Sequence, residues 1–265
     1  MRLKISHTTR YRFEVPVTFG LQQLRLRPRS RRDQQVIRWD MTLEGATHQL
    51  SYEDHHGNYV DLIGFDRDCT ELSVRCEGEV EIGEAHGVIG RHVGLVPLWL
   101  YQRVTPRTKA GPAVKALLKS VEGGTVLGRC HALMPAIAEA VAYETGSSES
   151  HWTAEEALTE GRGVCQDHAH VLIACAREAG WPARYVSGYL MMDDRTAQDA
   201  MHAWAEVHVP DLGWVGFDPA NAMSPDEHYV RVALGLDYGD AAPVNGRRVG
   251  GEGESLEVAI EIAQQ

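Results

Sequence analysis

The chain has 265 residues, 43% hydrophobic and 24% charged, a balance that suits a folded protein of one large domain or two ordinary ones. Lys and Arg number 26 against 37 Asp and Glu, a formal net charge of −11, which argues against a nucleic-acid backbone as the main partner. No run approaches the roughly 18 apolar residues of a membrane helix, and MRLKISHTTRYRF lacks the apolar stretch of a secretory signal, so the expectation is a cytoplasmic protein with no membrane partner.

Up to about residue 90 the chain reads as short strands. RYRFEV, LQQLRLRP, QVIRWDMTLEG, HQLSYED and TELSVRCEGEVEI alternate with a rough period of two between Pro, Gly and Asp breaks, and Gly57-Asn58 marks a turn. Strands with short turns and no helical stretch predict an all-β, sandwich-like domain over 1–90. In LRLRPRSRR, Arg25, Arg27 and Arg29 alternate and would share one face of a strand. A solvated outer face is the simpler reading, an interaction patch the other. GLVPLWLYQRVTPRTKAGP carries three prolines and predicts a partly packed linker over 91–110.

A second domain is expected over 111–265. AVKALLKSV and RCHALMPAIAEAVAYET suit a helical period, with Pro135 either near a helix start or at a kink. Thr153 with Glu156 three residues on is a capping-box pattern. A long apolar helix follows from Cys165 and is stopped by Gly180 and Pro182. ARYVSGYL, HAWAEVHV, GWVGFDP, HYVRVALGLDY and SLEVAIEI then read as strands, and NGRRVGGEGE as a flexible glycine-rich loop. Helices followed by consecutive strands give an α+β domain with a largely antiparallel sheet.

The five cysteines are Cys69, Cys76, Cys130, Cys165 and Cys175, an odd set with no CxxC, which fits neither a disulfide framework nor a zinc ribbon. Cys165 stands apart. With Ala169, Leu172, Ala176 and Ala179 it forms one apolar stripe, and charge returns only at Arg177 and Glu178, the pattern of a buried helix. At the N-terminus of that helix, unsatisfied N–H groups and the helix dipole favour a thiolate. The Cys165 N–H could also hold an oxyanion, and Gly161 and Gly163 would let a substrate approach the backbone. The other cysteines read as structural. A metal site built on Cys165, His168 and His170 is the weaker alternative, since 170 points away from the other two and a fourth ligand is not evident.

A nucleophilic cysteine needs a base, and the base a group to hold its tautomer. MHAWAEVHVPDLGWVGFDPAN offers His202 and Asp218 on a β-hairpin. A turn over Pro210 to Gly213 would set Asp218 opposite residue 205, leaving roughly 10 Å to His202 and calling for a bulge or a shifted register. Spacing alone does not select this pair over His208 or Glu206, which otherwise read as solvent-facing, with Trp204 and Trp214 as core.

GVCQDHAHVLIACAREAGWPARYVSGYL followed by HAWAEVHVPDLGWVGFDPAN resembles the transglutaminase-like superfamily of papain-like cysteine enzymes, in its bacterial branch with an N-terminal β domain. The likeness is dense over about 153–222. It extends loosely through LWLYQRVTPRT and HYVRVALGLDYGDAAPVNG, and LQQLRLRPRS and DHHGN look like that branch's leading domain. The resemblance implies a central helix on an antiparallel sheet, with Cys165 as nucleophile, His202 as base and Asp218 as orienter. It also implies a strand register that closes the gap between the last two. A second oxyanion donor is left open among Tyr143, Trp152 and Gln166.

The expected activity is acyl transfer from an amide through a thioester, on a peptide or protein substrate and with no cofactor or metal needed. Water as acceptor makes a peptidase or amidase, the preferred reading; an amine makes a transglutaminase. A binding or scaffold protein that keeps the fold without turnover is the rival from another class.

Overall fold

The computed structural model describes residues 1–121, 123–149, 151–192 and 194–265. In chain order the elements are β1 (Arg2–Leu24), β2 (Gln34–Glu44), β3 (Ala46–Glu53), β4 (Tyr59–Phe65), β5 (Cys69–Ile82) and β6 (Val88–Gly90). Two 3-10 turns, Leu98–Gln102 and Pro106–Thr108, lead to α1 (Pro112–Ser120), α2 (Val126–Ala140), β7 (Ala142–Tyr143), α3 (Ala154–Glu160), β8 (Arg162–Gly163) and α4 (Cys165–Glu178). The rest is β9 (Ala183–Leu190), β10 (Ala197–Gln198), β11 (His202–Val209), β12 (Gly213–Phe217), β13 (Tyr229–Gly235), α5 (Tyr238–Ala241), β14 (Val244–Gly250) and β15 (Ser255–Gln264). The fold is α+β, as the order of strands and helices in the sequence predicts.

β1 organises the first sheet. Its early part, through Arg12, pairs with β15 on one side and β5 on the other; its end pairs with β14 from Val17 and with β4 from Leu21. The change of partners falls around Pro16, which has no N–H to give a ladder. Two strand sets therefore share β1, and Tyr11, Leu24, Ile63, Leu72 and Val74 from both meet in one core, giving the sandwich-like character. Residues 244–264, grouped by the sequence reading with the second domain, are hydrogen-bonded to β1. NGRRVGG is thus a strand for most of its length and not a loop. Its side chains are exposed, so only the partner strand reveals it; Gly246 is needed because a Cβ there would lie 2.3 Å from the Leu21 carbonyl oxygen.

The second sheet runs β13-β9-β11-β12-β6, antiparallel throughout. One side carries the helices: Val171, Leu172 and Cys175 of α4 share a core with Ala203, Ala205 and Val207 of β11. On the other side Tyr189, Val230 and Val232 pack against Leu3, Ile5, Val80 and Ile262 of the first sheet. Burial on both faces explains why every residue of β9 and β13 is buried.

Local rules set the helix ends. Thr153 and Glu156 form the predicted capping box, the Thr153 hydroxyl oxygen accepting from the Glu156 N–H at 3.2 Å and Glu156 accepting from the Thr153 N–H at 2.8 Å. α4 ends in a Schellman pattern: Gly180, at φ +80°, donates to Arg177 O, and Trp181 donates to Ala176 O. Pro135 lies inside α2 and not at its start.

Arg177, where charge returns along that helix, is not at the surface. It is buried and donates to Tyr101 O at 3.0 Å, Thr108 Oγ1 at 2.7 Å, Ala183 O at 2.8 Å and Leu236 O at 2.7 Å. One guanidinium thereby ties both 3-10 turns of the 91–110 segment to the sheet. The arginine run is likewise no solvated strand face. Arg25, Arg27 and Arg29 lie beyond the end of β1 and pair with Asp54, Asp61 and Glu53 of the β3–β4 region.

Candidate active site

Cys165 is the first residue of α4, preceded by extended Val164, and is partly buried. The Val164 carbonyl starts the helix by accepting from Asp167 and His168 N–H, while the Asp167 carboxylate accepts from Val164 N–H at 2.8 Å and from the Ser148 hydroxyl at 2.6 Å. Burial pushes the Asp167 carboxyl up from the usual range, against those hydrogen bonds. The two glycines before the thiol have local structural roles. Gly161 ends α3 at φ +67°, and a Cβ on Gly163 would lie 2.7 Å from Asp167 Cβ.

His202 opens β11, opposite Gly188 of β9. The hairpin to β12 runs without a shift from Val209↔Gly213 to Ala205↔Phe217, so Gly213 is already strand and the loop is Pro210 to Leu212. That shorter loop sets Asp218 level with Trp204, two residues from His202 and on the same face, a diagonal pair within side-chain reach. The register closes the gap with no bulge, because the turn is one residue tighter than its composition suggests.

Beyond β12, Asp218 and Met223 exchange backbone hydrogen bonds at 2.8 and 3.1 Å, closing a short loop. The buried Asp218 carboxylate is hydrogen-bonded on both oxygens. Oδ2 lies 2.7 Å from His202 Nε2 and accepts from Asn221 Nδ2 at 2.7 Å and the Tyr229 hydroxyl at 2.8 Å. Oδ1 accepts from the Ala220 N–H at 3.0 Å. Burial would raise this carboxyl, but His202, Asn221 and Tyr229 hold it below the usual carboxylate range. For His202 burial works against the charged form, yet the hydrogen bonds to Asp218 and Cys165 push its pKa up to about 10. With Nε2 committed to Asp218, Nδ1 is the nitrogen left for the thiol.

Tyr143, on β7, is held beside the thiol by the parallel pairing of β7 with β8, Tyr143 opposite Gly163. Tyr143 is half exposed, and partial burial, then the negative charges of Cys165 and Asp218, push its phenol up to about 12, so at neutral pH it keeps its O–H beside Cys165. Of the three candidates for a second donor the structure brings this one to the sulfur; Trp152 packs partly buried against the helix core.

The histidines after Cys165 are turned elsewhere. His168 has Nδ1 2.8 Å from Val164 O and Nε2 2.9 Å from Val141 O. His170 is fully buried with Nε2 accepting from the Tyr238 N–H, and burial lowers its pKa to about 3. Among the described residues no three His, Cys, Asp or Glu side chains are gathered to hold a metal ion. Cys76, Cys130 and Cys175 are buried, and burial pushes each thiol up to about 12. Trp204 and Trp214 are core, as expected, but Glu206 is not solvent-facing. It is fully buried between Arg184 and Arg231, its Oε2 accepting from Arg184 Nε at 2.6 Å and its Oε1 from Arg231 Nε at 2.7 Å. Asn221 and Tyr229 were not singled out by the sequence. Asn221, three residues after the candidate orienter, carries a local signal; Tyr229 carries none.

A thiol on the first turn of a central helix, set against an antiparallel sheet that bears a His–Asp pair, is the arrangement of the papain-like cysteine enzymes. Residues 115–219 match the model of the transglutaminase-like superfamily, and residues 3–81 match that of the bacterial transglutaminase-like N-terminal region. An uncharacterized protein of Mycobacterium leprae is 30% identical over 280 residues, covering 99% of both chains. The chain belongs to the transglutaminase-like superfamily, a superfamily of cysteine enzymes, and carries the bacterial N-terminal region. The fold is shared with a Cytophaga hutchinsonii protein described as a candidate cysteine protease, at TM-score 0.80 and 21% identity over 99% of this chain and 90% of that one. A shorter match, 32% identical over 82 residues, covers 28% of this chain and 12% of a Pseudomonas aeruginosa protein-glutamine gamma-glutamyltransferase.

Proposed function

We propose that this protein is a cysteine peptidase or amidase in which Cys165 is the nucleophile, His202 the general base and acid, and Asp218 the group that orients His202. The observation that carries the reading is the buried His202–Asp218 hydrogen bond of 2.7 Å with Cys165 near enough to raise the imidazole's pKa. A raised His202 favours an imidazolium beside Cys165, which is the partner a cysteine nucleophile needs.

The thiolate attacks an amide carbonyl of a peptide or protein. The oxyanion that forms is met by the Cys165 N–H, one of the donors a helix start leaves without an intrahelical partner, and by the Tyr143 hydroxyl. As the C–N bond breaks, His202 gives its Nδ1 proton to the leaving amine, and a thioester remains on Cys165. Neutral His202 then takes a proton from water, which attacks the thioester, releases the acid and restores the thiolate–imidazolium pair. Asp218 stays ionised throughout and holds Nε2–H, and nothing in the sequence of steps requires a cofactor.

The test is turnover of glutamine-containing and ordinary peptides, with and without an added primary amine, by wild type and Cys165→Ala. Release of free acid and amine, lost in the variant, is the expected result. Incorporation of the amine at glutamine would replace water by an amine as acceptor, the activity named for the Pseudomonas relative. Turnover that survives Cys165→Ala would remove the thiol from the mechanism, and with no turnover on any peptide the scaffold reading would stand.

A further inference from the structure

A cleft of about 410 Å³ lies where the segment after β1, the β3–β4 turn and the 89–96 loop meet the second sheet at Arg184 and Trp214. Glu206, with which Arg184 pairs, stands four residues after His202 on β11, roughly 14 Å along the strand. Trp204 and Tyr229 fill the ground between and are buried, so the cleft is a place of its own and not an arm of the thiol site.

The charge of its walls is lopsided. His92 accepts from Trp214 Nε1 at 3.0 Å through Nδ1 and reaches Val96 O at 2.6 Å through Nε2, fixing the loop and a neutral tautomer. Of the lining acids, Glu53 is paired with Arg29 at 2.7 Å and Asp54 with Arg25 at 3.5 Å, which leaves Asp33. Against it stand Arg31, Arg32 and Arg91. Glu206 beneath them is shared between Arg184 and Arg231, so its one charge is set against two guanidinium groups before Arg31 is counted. Arg31 is the telling residue: its Nε is buried without a hydrogen-bond partner. Burial, then Arg231 and Arg184, push its pKa down against the opposing pull of Glu206, although a guanidinium remains charged at neutral pH. A buried guanidinium donor left unpaired in a protein of net charge −11 is costly unless an anion completes it. At the mouth, Val93 and Leu95 are 83% and 99% exposed.

We propose that this cleft is a second binding site, separate from Cys165, for an anionic group carried on an apolar body. The anion, a carboxylate or a phosphate, meets Arg31, with Arg32 and Arg91 at the entrance, and the apolar part lies along Val93 and Leu95. The two sources share oxygen acceptors that match a guanidinium fork.

Calorimetric titration of the full chain with N-acetyl-leucine, N-acetyl-leucinamide and phenyl phosphate tests it. One or both anions bind saturably and the neutral amide does not; whichever anion binds identifies the source. Arg91→Ala, an exposed change that spares the fold, and Arg31→Gln each weaken that binding about tenfold or more, the effect of losing one charge-assisted contact. Cys165→Ala leaves it unchanged. The proposal is overturned if neither anion saturates at millimolar concentration, if the amide binds equally well, if Arg91→Ala has no effect, or if Cys165→Ala alone abolishes binding.

Discussion

Asp218 and His202 lie two residues off level on adjacent strands, on one face of an unshifted hairpin, and meet at 2.7 Å. Their contact therefore depends on the length of the Pro210–Leu212 loop as much as on either side chain. Asn221 and Tyr229 then lock the carboxylate in place from the loop beyond β12 and from β13.

Substituting Asp218 tests its proposed role as orienter apart from the fold. Asp218→Asn keeps the shape but no longer holds the charged imidazole, and kcat is expected to fall by about 10³- to 10⁴-fold, read on whichever peptide is turned over. Tyr229→Phe removes one hydrogen bond to the same oxygen and is expected to cost about 1 kcal/mol, some fivefold in kcat/KM. A Tyr229→Phe loss as large as that of Asp218→Asn would contradict the division of roles.

The pH dependence has a definite sign. His202 is raised from 6.5 to about 10 in the folded protein, so its stabilising contribution is full below about 6.5 and is lost as pH climbs to about 10. Asp218 is lowered, so its contribution is present above the ordinary carboxylate range and disappears in acid, as pH falls through its depressed value. Denaturant midpoints should thus decline between about pH 6.5 and 10 in wild type and decline less in His202→Ala. The alkaline limb of kcat/KM should fall near pH 10, and at lower pH in Asp218→Asn.

Alkylation discriminates among the thiols. At near-neutral pH iodoacetamide should label Cys165 first, since it alone is only partly buried while Cys69, Cys76, Cys130 and Cys175 are buried. Peptide mapping of the first-labelled cysteine, together with a rate no faster than that of the unfolded chain, would argue against a poised nucleophile.

Arg177 predicts a stability change without a change of site. Arg177→Ala leaves three carbonyls and the Thr108 hydroxyl without their donor, and is expected to cost about 3 kcal/mol. Equilibrium urea unfolding measures it. Arg177→Lys should recover part of the loss, because an ammonium has three donors and no planar fork.

Much of this was legible in the chain, and the exceptions share a cause. β9 and β11 coincide with ARYVSGYL and HAWAEVHV, and the Thr153 box and the Gly180 stop are local signals that need no partner. NGRRVGG failed because an exposed strand made by pairing alone has no apolar alternation to show. Glu206 failed because a buried charge looks, in one dimension, like a surface one, and only Arg184 and Arg231 make its burial tolerable; the four distant acceptors of Arg177 were invisible for the same reason. The hairpin register missed by one residue, since composition marks where a turn is but not whether Gly213 belongs to it. Tyr143 was among the named candidates, and a two-residue pairing with Gly163 is what brought it to the sulfur.

Among the described elements β1 is made well before its partners β14 and β15. On the ribosome the residues from α1 to β13 emerge while β1 still lacks one whole side of its ladder, so the first sheet is the last to close. Contacts between Leu3 and Gln264 span nearly the whole sequence and impose a large loop-closure entropy on that final step. The same pairing brings the two ends of the described chain side by side, so joining them through a short linker and reopening the chain at an exposed loop is a geometry this fold would accept.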